Sequence, residues 1–201
     1  MRADHDLDVV LMVGTGGSDA WVSVVGDRPV LFVALEMLGD PERDTLLVLH
    51  ELVHVVHVRA LLPRLQADPG LEHHVGMRVW LEGVAVAGTR RLRPGLPDSA
   101  YFFIPDDGWG DACRAALPRL AGGLLPHLDT TDPVISYSFC GVTDQHPWPS
   151  RAGYWVGDAI VSELLDSGHE LSPRLMWGPT RVTQAIRESL DPERPPEGRA
   201  R

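Results

Sequence analysis

The stretch Leu46-Leu47-Val48-Leu49-His50-Glu51-Leu52-Val53-His54-Val55-Val56-His57 decides how this chain is read. Residues four apart on an α-helix lie one turn apart on the same face, so a helix here aims His50 and His54 in one direction. Two imidazoles so placed can share one metal ion. Glu51, on the adjoining edge, can hold a water beside that ion and take its proton. Just upstream, Asp40-Pro41-Glu42 has the form of a helix start: a capping Asp, a Pro at the first helical position and an acid near the positive end of the dipole. Pro63 is expected to stop the helix near residue 60. Leu46, Leu47, Leu49, Leu52, Val53, Val55, Val56 and Val58 make it apolar on every side, which predicts burial. Two histidines and a glutamate inside such a helix cost free energy unless partnered, and one metal ion partners all three. Hydrogen-bonded core histidines are the alternative.

A zinc site of this kind needs a third protein ligand and an open position for water. An extension of the form H-E-x-x-H-x-x-G-x-x-H fails, because His57 and Ala60 stand at its Gly and last His positions. Glu82 fits better. It lies 28 residues past His54 on the next expected helix, 77–92, alone among Trp80, Leu81, Val84, Ala85 and Val86. Gly83 beside it is expected to let that helix pack closely on the first. His57 shares the face of His50 and His54 but lies about 10 Å from His50 along the axis, too far for one ion. It reads as cleft wall or as a group behind the ligands. His73 and His74, in a loop near Glu72, are the ligands to consider if Glu82 is not one.

Composition bounds the rest. At 201 residues the chain is expected to form a single domain over 1–190, large enough for a full core. The net charge of −10 argues against nucleic acid and acidic membrane surfaces as partners. Cys113 and Cys140 have no C-x-x-C spacing and read as free core thiols of a reducing compartment, with one disulfide as the other possibility. No unbroken apolar run reaches the length of a membrane span, and the apolar Val9–Val13 is too short for a signal peptide. A cytoplasmic location is the expectation.

The fold class expected is α+β. Leu7–Val13, Trp21–Val25 and Val30–Ala34 are short β-rich runs between Gly and Pro turns, predicting a small, largely antiparallel sheet over 7–34. Gly14, Gly16 and Gly17 lack the Lys-Ser/Thr and the third glycine of phosphate loops and read as a turn. Helices are expected over 41–60, 77–92 and 109–125, the last interrupted at Pro118. Further helices fill 152–190, with a start at Ser172-Pro173. Residues 127–150 read as irregular and 191–201 as a frayed tail.

His50-Glu51-Leu52-Val53-His54 followed by Trp80-Leu81-Glu82-Gly83-Val84-Ala85 resembles the gluzincin metallopeptidases, in which the first motif supplies two histidines and a downstream helix supplies a glutamate. Gly153-Tyr154-Trp155-Val156-Gly157 is similar to the G-Y-x-x-G segment of a bacterial family of zinc-dependent protease domains. The resemblance spans about residues 7–190. It implies a zincin-like fold, one zinc ion per chain held by His50, His54 and Glu82, and hydrolysis of peptide or protein substrates with Glu51 as general base. It also implies that Tyr154 lies near the cleft, where its phenol could donate to the oxygen that gains charge; His146 and Tyr137 are alternates, and Arg151 could bind a substrate carboxylate. One departure stands out. Thermolysin-type relatives carry an Asp four residues after the ligand Glu, where this chain has Val86. The rival reading is a zinc-binding regulatory module without turnover.

Overall fold

The computed structural model describes residues 6–104, 108–142 and 145–191. It is α+β: three strands at the start, then a mainly helical body. Strands β1 (Asp8–Met12), β2 (Ala20–Val25) and β3 (Arg28–Ala34) form one sheet in the order β1-β3-β2. β3 is the most continuously apolar, with Val30, Leu31, Val33 and Ala34 buried, and it takes the centre. The tight Gly26-Asp27 turn fixes β2 antiparallel to β3, with Trp21 opposite Phe32 and their rings stacked at 5.2 Å. β1 runs parallel to β3, Asp8 opposite Val30, so the sheet is mixed rather than largely antiparallel. The reason is the connection: residues 13–19 carry the chain past β3 before β2 begins, so β1 never meets β2.

Helix α1 (Pro41–Ala67) starts where the cap predicts, with the Asp40 carboxylate accepting from the backbone N–H of Glu42 and Arg43 at 3.0 and 2.9 Å. It runs past Pro63 to residue 67. The proline costs one backbone hydrogen bond, and burial of Leu61 together with the packing of Leu65 against the core offsets it. At 27 residues α1 is, by length and composition, apolar enough to cross a membrane, which counting unbroken apolar residues did not reveal. In this fold one side of it packs through Val55 on Leu31 and Val33 of the sheet, while His50, Glu51 and His57 lie buried along its length.

Helix α2 (Val75–Leu92) is the centre of the helical body. Val75, Met77, Val79, Trp80, Val84, Ala85 and Val86 are all fully buried. Around it lie α1, α3 (Asp98–Phe102), α5 (Pro133–Cys140), α6 (Ala152–Asp166) and α7 (Pro179–Leu190), with α4 (Trp109–Leu124) outside α6. Gly83 meets α6, not α1. A Cβ on Gly83 would come within 2.2 Å of the Gly157 carbonyl carbon, and one on Gly157 within 2.1 Å of the Val79 carbonyl oxygen. The two helices therefore cross backbone to backbone at a pair of glycines. The approach to α1 is made instead at Gly88, against Val53.

Other expectations also need correction. Pro118 does not interrupt α4, whose Ala116, Leu120 and Leu124 stay buried on either side of it. The stretch 127–150 contains α5, whose start repeats the α1 signature: Asp132 caps Val134 N–H at 2.8 Å and Pro133 follows it. The helix start expected at Ser172-Pro173 is present, as a 3₁₀ helix over Ser172–Met176. Of the expected tail, residues 192–201 lie outside the described residues.

Candidate metal centre

His50 and His54 project from consecutive turns of α1, and Glu82 projects from α2 toward them. His50 Nε2 and His54 Nε2 are 3.1 Å apart. Glu82 Oε2 is 3.2 Å from His54 Nε2 and 3.4 Å from His50 Nε2. Ligand atoms about 2.0–2.1 Å from a tetrahedral ion stand about 3.3–3.4 Å from one another. The triangle of two imidazole nitrogens and one carboxylate oxygen has those dimensions, give or take a few tenths of an ångström. Glu51 completes the group: His50, Glu51 and His54 each offer a ligand atom within 4.8 Å of the others. The cluster is positioned to hold a metal ion.

Its electrostatics point the same way. Burial works to raise the Glu82 carboxyl, but the neighbouring His54, His50 and Arg78 outweigh it and hold the group well below the usual carboxylate range. Burial works to lower His54, and the charges of Glu82 and Glu51 more than reverse it. A proton on His54 answers two carboxylates as a cation between them would, so protons and metal compete for one place. Glu51 is pushed up, chiefly by burial. Its Oε2 is buried and, among the described residues, has no hydrogen-bond partner, as is also true of His50 Nδ1. A buried carboxylate oxygen left in this way is costly unless an ion or a water meets it. No carboxylate among the described residues holds His50 Nδ1, and the residue four past Glu82 is the apolar Val86.

The Tyr154 ring lies parallel to that of His50 at 6.2 Å and lines the same cleft. Burial, then the charge of Glu82, raises its phenol well above the ordinary value, so the hydroxyl stays protonated. Tyr137 sits at the exposed rim with its hydroxyl donating to Val142 O. His146 stacks on Trp148 and is not among the cleft-lining residues. His57 does not line the cleft either. It lies 20° behind His50 around the helix, while the cleft face runs from His50 through Glu51, His54, Val58 and Leu61 on the other side. Fully buried, it has its pKa lowered to about 3 by burial and then by His54. His73 borders the cleft, exposed, 3.8 Å from Glu72, and His74 faces Asp129 at 3.8 Å; neither joins the triangle.

Two contacts at the site are new. Arg78 pairs with Glu82 Oε1 at 3.4 Å, leaving Oε2 to the histidines. The i,i+4 spacing on α2 carried that signal. Phe103 packs edge-on against His50 at 5.6 Å, and nothing in the sequence links residues 50 and 103. Phe103 and Arg151 are the two described non-glycine residues with left-handed backbone, φ 53° and 58°. Both border the cleft, in keeping with the tendency of strained backbone to gather at working sites.

The cleft has a volume of about 690 Å³, within the range of ligand-binding pockets. Its walls are the metal-facing sides of α1 and α2, Tyr154 and Phe103, and along one rim residues 16–24, which include most of the edge strand β2. No family model matches the chain, and no curated protein or solved structure matches it significantly.

Proposed function

We propose that the protein is a zinc-dependent peptidase of gluzincin type, in which His50, His54 and Glu82 hold one zinc ion per chain and Glu51 manages the proton. The observation that carries this reading is the triangle of Nε2, Nε2 and Oε2 atoms at 3.1–3.4 Å with a second, partnerless carboxylate beside it. Two nitrogens and one oxygen suit zinc, and three protein ligands leave a fourth position open, as catalytic zinc sites do. Bound zinc supplies Lewis acidity, lowering the pKa of water and polarising a carbonyl. Glu51, buried and with a raised pKa, accepts the proton of the attacking water and returns it to the leaving amine. Tyr154 donates from its protonated hydroxyl toward the carbonyl oxygen as that oxygen gains charge. The free edge of β2 along the rim supports an extended peptide as substrate, since unpaired backbone groups there can bond to another chain.

Free, buried Cys113 and Cys140 support a reducing, cytoplasmic setting. The net charge of −10 supports protein or peptide partners over nucleic acid. Metal removal tests the whole reading. The chelated chain is expected to lose cleavage of a mixed peptide library and to regain it with one equivalent of zinc. A chain that binds one zinc but cleaves nothing in the library would instead be a zinc-binding module without turnover.

A further inference from the structure

A second cavity of about 290 Å³ opens off the main cleft beside Tyr154. Gly17, Ser18, Arg78, Arg151 and Tyr154 line both spaces. The chain is acidic, at −10, yet two guanidinium groups converge here. Arg78 is already paired with Glu82. Arg151 is not so engaged: it gives one N–H to the Phe102 carbonyl at 2.9 Å, and no carboxylate among the described residues lies within ion-pair distance of it. Its Cζ stands 5.5 Å from the Tyr154 ring centre, over a ring that is itself 6.2 Å from His50. Arg151 therefore lies within about 12 Å of the His50 ring, no farther than three to four extended residues reach.

The direction of β2 gives this charge a meaning. A peptide laid antiparallel along the β2 edge runs from the Val25 end toward Ala20, and its C-terminus then arrives at Gly17 and Ser18, where the side cavity opens. The cavity has space for about ten water molecules, the size of one or two residues. We infer that Arg151, with Arg78 beside it, binds the terminal carboxylate of the substrate, and that the protein removes one or two residues from the C-termini of peptides. The inference rests on the peptidase reading of the same cleft.

Calorimetry on the zinc-loaded Glu51→Gln chain tests it without requiring turnover. The probes are an N-acetylated tetrapeptide with a free C-terminus and the same peptide as its C-terminal amide. The free acid is expected to bind roughly 10- to 100-fold more tightly, the usual worth of a charge-assisted hydrogen-bond pair. Adding Arg151→Asn should abolish the difference, and asparagine tolerates the left-handed backbone at 151. Arg151→Lys should restore part of it, keeping the charge but not the planar fork; melting temperatures exclude a folding defect. On the active chain, mass spectrometry should find cuts one or two residues from free C-termini. Equal binding of acid and amide, or a difference that survives Arg151→Asn in a folded chain, overturns the subsite. Cleavage of internal bonds without preference for a free terminus overturns it while leaving the peptidase reading intact. Arg151-dependent binding of the acid without any hydrolysis supports the subsite and removes the peptidase reading.

Discussion

Glu51→Gln is expected to keep one zinc per chain and a near-native melting curve while losing roughly two to four orders of magnitude in kcat. Gln is nearly isosteric with Glu and keeps an oxygen acceptor, but it has no basic oxygen to receive a proton. The reading gives Glu51 no part in holding the ion: the three short distances join His50, His54 and Glu82. Removing a buried carboxylate that has no partner for Oε2 also relieves a desolvation cost, so melting should move little or upward in the metal-free chain. Zinc analysis, melting and turnover on one preparation test all three statements. A Glu51→Gln chain with full activity would remove the proposed proton route; loss of zinc from a chain that still folds would make Glu51 a ligand.

Gly157→Ala is expected to destabilise the fold by at least about 3 kcal/mol, lowering Tm by roughly 6–12 °C for a domain of this size. Alanine is ordinarily the better helix former, so the sign opposes intrinsic propensity and isolates the packing. The added methyl meets backbone, the Val79 carbonyl oxygen at 2.1 Å and Gly83 Cα at 2.8 Å, and backbone cannot step aside as a flexible side chain can. The helices must separate. Because Glu82 neighbours Gly83 on one helix and Tyr154 lies one turn before Gly157 on the other, separation also moves both out of the cleft. Gly122→Ala serves as the contrast: nothing lies within 4 Å of a Cβ there, so it should be neutral or slightly stabilising. Equal Tm values for the two variants would show that the α2–α6 crossing is looser than described.

The legible parts of this chain were those whose signals are local. The Asp40-Pro41 cap, the four-residue spacing of His50 and His54 and the apolar setting of Glu82 each sit within a few residues, and each points to the observed element. The same cap at Asp132-Pro133 was as legible and lay hidden in a stretch whose prolines suggested disorder of structure. Pro63 and Pro118 misled in the opposite direction, because a local cost of one hydrogen bond was set against burial that only the assembled core reveals. Gly83 illustrates the remaining limit. Its smallness announced a close approach, but the partner, Gly157, is 74 residues away and no periodicity connects them. The positions of Phe103 and Arg151 around the histidines, the side cavity and the parallel pairing of β1 with β3 likewise depend on long-range assembly.

The central claim is that one zinc ion is held by two imidazoles and a carboxylate, and X-ray absorption at the zinc edge on the purified chain measures this directly. The predicted result is about one zinc per chain with a shell of nitrogen and oxygen at about 2.0–2.1 Å, imidazole scattering from two histidines and no sulfur. In Glu82→Ala the zinc affinity and melting temperature should both fall, since the buried histidines lose a ligand partner and the ion together. A sulfur shell near about 2.3 Å, or a Glu82→Ala chain with undiminished zinc affinity, would contradict the account.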